Sequence, residues 1–176
     1  MRGDKMSYSV IGGADGPTSV FLAGKIGFNW INVFGLILVL LLLIPNIIYA
    51  LKLGNHRNEC NHKVMNILEQ IGRYASVFFM IFSIGIAEFG FSSLGAFFLY
   101  GIGNIVLMLT YWIVWMLYFH KQDLKKAMAL AVIPACIFVL SGAASGHILL
   151  VASGVVFAIG HIYITYQNGI SERGEK

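Results

Sequence analysis

From Phe34 to Leu51 the chain carries no charged side chain and a single amide, Asn46. That run constrains the fold more than any other feature, because crossing about 30 Å of hydrocarbon takes roughly 20 mostly apolar residues. With its flanks it extends over Trp30–Leu51, and four further runs follow at about Ile71–Phe91, Ala96–Phe119, Ala127–Ala144 and Ile148–Tyr166. Polar or turn-forming residues separate them: 54–70, then Ser92 and Ser93 with Gly95, then His120–Lys126, then Ser145-Gly146-His147. The fourth run is the shortest and holds Pro134, which membrane helices tolerate when neighbours satisfy the freed backbone groups. The expectation is an all-α fold, an integral membrane bundle of about five transmembrane helices, with a short amphipathic helix at about Val64–Arg73 ahead of the second span.

Composition points the same way. Of 176 residues, 58% are hydrophobic and 11% charged, where a soluble domain carries about 25% charged residues. So few charges cannot cover a soluble surface, which excludes a typical cytosolic enzyme, a disordered chain and a disulfide-rich secreted domain. Three segments are expected: a glycine-rich external tail over 1–29, a five-helix domain over 30–168 and a short polar cytoplasmic tail over 169–176. The first 29 residues hold no apolar stretch of the kind a secretory signal requires, so the first span is expected to direct insertion.

Orientation follows from the positive charges, which favour cytoplasmic loops. Lys52, Arg57, Lys63, Arg73, Lys121, Lys125, Lys126, Arg173 and Lys176 fall on one side of a five-span chain; Arg2, Lys5 and Lys25 fall on the other. The N-terminus is therefore expected outside and the C-terminus inside. The net charge of +4 is a topology signal, and no nucleic-acid partner is implied. Cys60 lies in an inside loop and Cys136 within the fourth span, so the two are not expected to pair.

The segment Ser9–Phe21, SVIGGADGPTSVF, stands apart. Gly12, Gly13 and Gly16 open backbone angles that other residues avoid, and Pro17 pushes Gly16 toward an extended conformation. Such a stretch cannot be continuous helix, but it can direct carbonyl oxygens, the Asp15 carboxylate and the Thr18 hydroxyl toward one point, as hard cations require. IGGADGPTSVF resembles the GGADGPT signature in the β subunit of sodium-pumping, biotin-dependent carboxylate decarboxylases. That resemblance implies a cation-coupling carboxylate at Asp15, with Thr18 and the Gly12–Gly13 backbone beside it, sodium as the ion and a biotin-dependent decarboxylase as partner. The chain is too short to be a whole such subunit. Ile44-Pro45-Asn46, Leu68–Tyr74 (LEQIGRY) and Phe157–Asn168 (FAIGHIYITYQN) resemble a group of small multi-pass Firmicute proteins, which implies a bacterial cytoplasmic membrane and brings no activity with it.

Polar side chains inside a bilayer are costly and face the bundle interior. Asn46 lies near the inner end of span 1, Glu69, Gln70 and Arg73 open span 2, and His161 lies near the inner end of span 5. Glu69 and Arg73 stand at i,i+4, pairing distance on a helix. These five are expected at similar depth, either as a polar pocket for an anionic head group or carboxylate, or as a hydrogen-bond cluster joining three helices. Glu88 and Asn104, with the Asp15 tail folded over them, form a candidate external cation site. His56, Cys60 and His62 supply fewer than the four ligands of structural zinc and read as a solvated basic loop. The Tyr111–Trp115–Tyr118 series reads as lipid-facing or core aromatics.

No nucleophile–base pair, nucleotide loop or zincin motif is present, so no catalytic residue and no cofactor beyond sodium is assigned. The expected function is a small membrane protein handling sodium or a small solute. The alternatives are a non-transporting scaffold, sensor or accessory subunit, and a membrane enzyme acting on a lipid at the cytoplasmic leaflet.

Overall fold

The structure, a computed structural model, describes residues 31–53, 62–84, 91 and 93–174. It contains five helices: α1 (Val33–Leu53), α2 (Lys63–Ile81), α3 (Leu94–His120), α4 (Leu124–Ala144) and α5 (Ile148–Gly174). Among the described residues there is no β-strand, only an isolated antiparallel bridge between Ile31 and Phe82. Within the described residues, four helices are long and apolar enough to cross a membrane, namely α1, α3, α4 and α5. The expected helical membrane bundle is thus what the chain forms, with one difference in the second helix.

That helix begins at Lys63 instead of near Ile71 and absorbs the polar stretch ahead of it. Its buried positions are Glu69, Gly72, Ser76 and Met80, one stripe at helical spacing. Val64, Ile67, Ile71, Tyr74 and Phe78 are exposed. Glu69, Gly72 and Ser76 therefore point inward beside Met80, and Val64, Ile67, Ile71, Tyr74 and Phe78 make an apolar outer stripe that the exposed Gln70 and Arg73 interrupt. Lys63, Asn66, Glu69, Gln70 and Arg73 together make α2 too polar to count with the other four as a span.

Each helix runs antiparallel to the next. The Asn32 N–H donates to the Ile81 carbonyl at 2.7 Å, tying the start of α1 to the end of α2. Along α2 and α5, Ser76 meets Ser153, Gly72 meets Phe157 and Gly160 meets Glu69, so these two also run in opposite directions. The two glycines are what permit the approach, since a Cβ on either would lie under 3 Å from backbone of the other helix. Between α4 and α5 the chain reverses through Ser145-Gly146-His147, where Gly146 takes a φ of 69° and the His147 N–H donates to the Gly142 carbonyl at 2.8 Å. Ser93 starts α3 by accepting the Ala96 N–H at 3.1 Å.

The centre of the bundle is α4, of whose most apolar window 56% is buried, against 22% for α1 and for α3. Its Ile133, Ala135, Ile137 and Phe138 pack with Met80, Met108, Tyr111 and Phe157. The opposite faces of α1 and α3 expose Phe34, Leu40, Ile47, Ile102, Ile105 and Leu109. Contiguous apolar surface of this extent is the outer face of a membrane bundle.

Candidate functional site

Polar side chains from α1, α2, α3 and α5 converge roughly 10 Å in from the end of the bundle where α1 ends and α2 begins, counting 1.5 Å per helical residue. Glu69 is buried and is the hub: its Oε1 takes both the Arg73 guanidinium, one turn along α2, and the His161 Nδ1 at 3.2 Å from α5. His161 is held for this contact by stacking on Phe157, with ring centroids 4.8 Å apart and planes 18° from parallel. The neighbouring Gly160 lets α5 close onto the backbone of Glu69. From α1, Asn46 donates through Nδ2 to the Leu42 carbonyl at 2.7 Å and to the Tyr111 hydroxyl at 2.8 Å. Pro45 beside it adds no backbone donor to the helix.

These groups border a cavity of about 370 Å³ walled by all five helices. Asn46, Arg73, Tyr111, His161 and Thr165 are among its polar lining, and Val39, Leu42, Leu130 and Phe138 among its apolar walls. Glu69 lies behind Arg73 and His161 and does not line it. Of the five residues that the sequence places at one depth, the structure brings Glu69, Arg73 and His161 into contact and sets Asn46 on the same cavity. Gln70 is exposed and makes no part of the lining.

Asn104 is elsewhere. It is 2% exposed and closed within the α3–α4 contact: Nδ2 donates to the Tyr100 carbonyl at 2.8 Å and to Ser141 Oγ at 3.0 Å, while Ser141 Oγ donates to Asn104 Oδ1 at 3.2 Å. Gly12, Gly13, Asp15, Thr18 and Glu88, the other members of the candidate cation site, lie outside the described residues.

Tyr111 and Trp115 are cavity residues that sequence reasoning left among generic aromatics. Both are buried, with rings perpendicular at 6.3 Å, and Trp115 also meets Tyr49 at 5.3 Å. The available signal was their i,i+4 spacing, together with Asn46 as the single amide between Phe34 and Leu51. His147 is a further buried polar group, at the far end of the bundle between α4 and α5. Its Nδ1 accepts the Leu150 N–H at 3.1 Å and so caps α5, and burial holds its pKa below the ordinary histidine value.

A family model described as vacuolar protein sorting 55 matches residues 8–123. The chain belongs to the Vps55 family. No curated protein and no solved structure matches it. The family match corrects the resemblances read from the sequence. It begins ahead of Gly12 and runs through α3, so the GGADGPT segment and the first three helices fall within one Vps55 match and not with a decarboxylase β subunit. A run of glycine, alanine, aspartate, proline and threonine encodes turn chemistry that unrelated folds can share, which is why so short a motif misleads. In this Vps55-family chain Asn46, Glu69, Arg73 and Tyr111 lie inside the matched stretch, while α4, α5 and His161 lie beyond it.

Proposed function

We propose that the protein is a non-transporting membrane scaffold or accessory subunit that takes part in sorting other membrane proteins. The family match carries this reading, through the description vacuolar protein sorting and its extent over three of the five helices. The interior chemistry supports it. Glu69 is engaged by Arg73 and His161, Asn104 by Ser141 and Ser76 by Ser153, so polar groups join helix to helix. Buried Met108, Ile137 and Phe138 lie among these pairs, where a transport path needs a continuous polar lining.

In this reading α2 crosses the bilayer with the other four helices, since Val64, Ile67, Ile71, Tyr74 and Phe78 give it an exposed apolar stripe. The end carrying Lys52, Lys63, Lys121, Lys125 and Lys126 faces the cytoplasm, with residues 1–29 outside and 169–176 within. Two measurements test the proposal. Purified protein in proteoliposomes should carry no sodium or small-carboxylate flux above empty vesicles. Deleting the gene should redistribute membrane proteins among fractionated membranes, and the wild-type gene should restore them. A saturable flux, or an unchanged distribution, overturns it.

A further inference from the structure

The cavity among the five helices has a size, a wall chemistry and a polar end that the sorting role does not use. Its volume of about 370 Å³ falls within the range of small-molecule pockets, about 300–1,000 Å³. Protein interiors hold few voids larger than a water molecule, so a space of this size among five helices has room for a ligand. It exists because α4 turns small residues toward it: Ala127, Ala131 and Pro134 line it at helical spacing.

The walls exclude water as the main occupant. An ordered water needs two to four polar partners, whereas Val39, Leu42, Leu130, Phe138 and Phe157 offer only hydrocarbon. The polar end selects the rest of the ligand. The Glu69 carboxylate is buried behind its two partners, so the cavity meets the Arg73 guanidinium and the His161 ring instead. A guanidinium has five N–H donors and no acceptor; the Arg73 side chain is 51% exposed and engages Glu69 through one terminal nitrogen, Nη2. Asn46 directs its amide nitrogen to Leu42 and Tyr111. The Arg73 guanidinium therefore keeps N–H donors to give at this end, and what they fit is a group rich in oxygen acceptors.

We propose that this cavity binds a single acyl chain, held against the α1, α4 and α5 walls, with a carboxylate or phosphate head at Arg73. The shared chemistry can come from a free fatty acid or from a chain of a bilayer phospholipid. The site does not depend on the sorting role, and its test reads binding alone.

Trp115 lines the cavity and reports on it. With Trp30→Phe and Trp112→Phe it becomes the sole tryptophan of the full chain. Reconstituted in phosphatidylcholine nanodiscs, this protein is titrated with dibrominated stearic acid, whose bromines quench indole fluorescence on contact. In a second arm the nanodisc phospholipid itself carries the brominated chain. Saturable quenching in the first arm marks a free fatty acid as ligand. Quenching in the second arm that Ala131→Phe removes marks a bilayer chain. In either case Arg73→Gln should weaken the interaction by about tenfold, the equivalent of about 1.4 kcal/mol. Ala127→Leu, a smaller filling of the same wall, repeats the blocking test should Ala131→Phe fail to fold. No quenching in either arm, or quenching that neither saturates nor responds to the three substitutions, overturns the proposal.

Discussion

Replacing Gly72 or Gly160 by alanine is expected to destabilise the bundle at the α2–α5 contact. A Cβ on Gly72 would lie 2.4 Å from the backbone nitrogen of Phe157, and one on Gly160 2.7 Å from that of Glu69. Both neighbours are backbone, so no side-chain rotation relieves the clash. With ordinary contacts beginning at 3.4 Å, α2 and α5 must part by about 1 Å, at the upper end of the overpacking cost of about 1–3 kcal/mol. Alanine returns about 1 kcal/mol through its higher helix propensity. The net loss is about 2 kcal/mol, a fall in Tm of about 4–8 °C for a chain of this length. Gly101 is the control, because a Cβ there meets nothing within 4 Å, and Gly101→Ala should raise Tm slightly. Thermal unfolding of the detergent-purified variants measures all three. The double variant should cost less than the sum of the singles, since the first retreat makes room for the second. The same retreat takes His161 beyond reach of Glu69, so the coupling between those two side chains should vanish in Gly160→Ala. If Gly72→Ala and Gly160→Ala shift Tm as Gly101→Ala does, the close α2–α5 packing described above is wrong.

Three further outcomes follow from the polar interior. Glu69→Gln removes the carboxylate shared by Arg73 and His161; because Arg73 is half exposed the cost should be about 1–2 kcal/mol, below the about 3–5 kcal/mol of a fully buried pair, read by denaturation in detergent. Asn104→Leu strands the buried Ser141 hydroxyl and should cost about 1–3 kcal/mol, while adding Ser141→Ala should recover part of that loss in the same assay. His147 gives a pH dependence: its folded pKa lies below the ordinary 6.5, so the unfolded chain takes up the proton first. Its contribution to stability is full above pH 6.5 and declines as pH falls from there toward the folded value. Melting measured from neutral to mildly acidic pH should show this slope, and His147→Asn, which keeps an acceptor to cap α5, should flatten it.

Position along the apolar helices was legible in the sequence, and direction around each helix was not. The apolar runs and their breaks located α1, α3, α4 and α5, and Ser145-Gly146-His147 announced the reversal that Gly146 makes with its positive φ. Depth also brought Asn46, Glu69, Arg73 and His161 to one level. Gln70 shared that level, yet adjacent residues on a helix point about 100° apart, and the side that buries Glu69 leaves Gln70 exposed. On α3 the difficulty is greater, because its apolar character is nearly uniform around the axis and hydrophobicity no longer marks the inner face. Burial and the contact with Asn46 distinguish Tyr111 from Trp112, whose indole is exposed.

The second helix shows why the usual pattern misreads such a chain. Read as an approach to a span, Val64–Arg73 looks like a short separate amphipathic helix, because Asn66, Glu69, Gln70 and Arg73 are polar. In an apolar surrounding the stripe that can be satisfied by another helix turns inward, and Val64, Ile67, Ile71, Tyr74 and Phe78 face out. Glu69 then sits against the Gly160 backbone, with Arg73 one turn along its own helix and His161 across the contact. The glycines at 72 and 160 and the charge at 69 are one device, since α5 must approach that closely for His161 to reach the carboxylate. Small residues set the distance, and the polar pair fixes the register at which the distance is used. A variant that keeps Glu69 and His161 but loses either glycine should therefore lose the pair as surely as one that deletes the carboxylate.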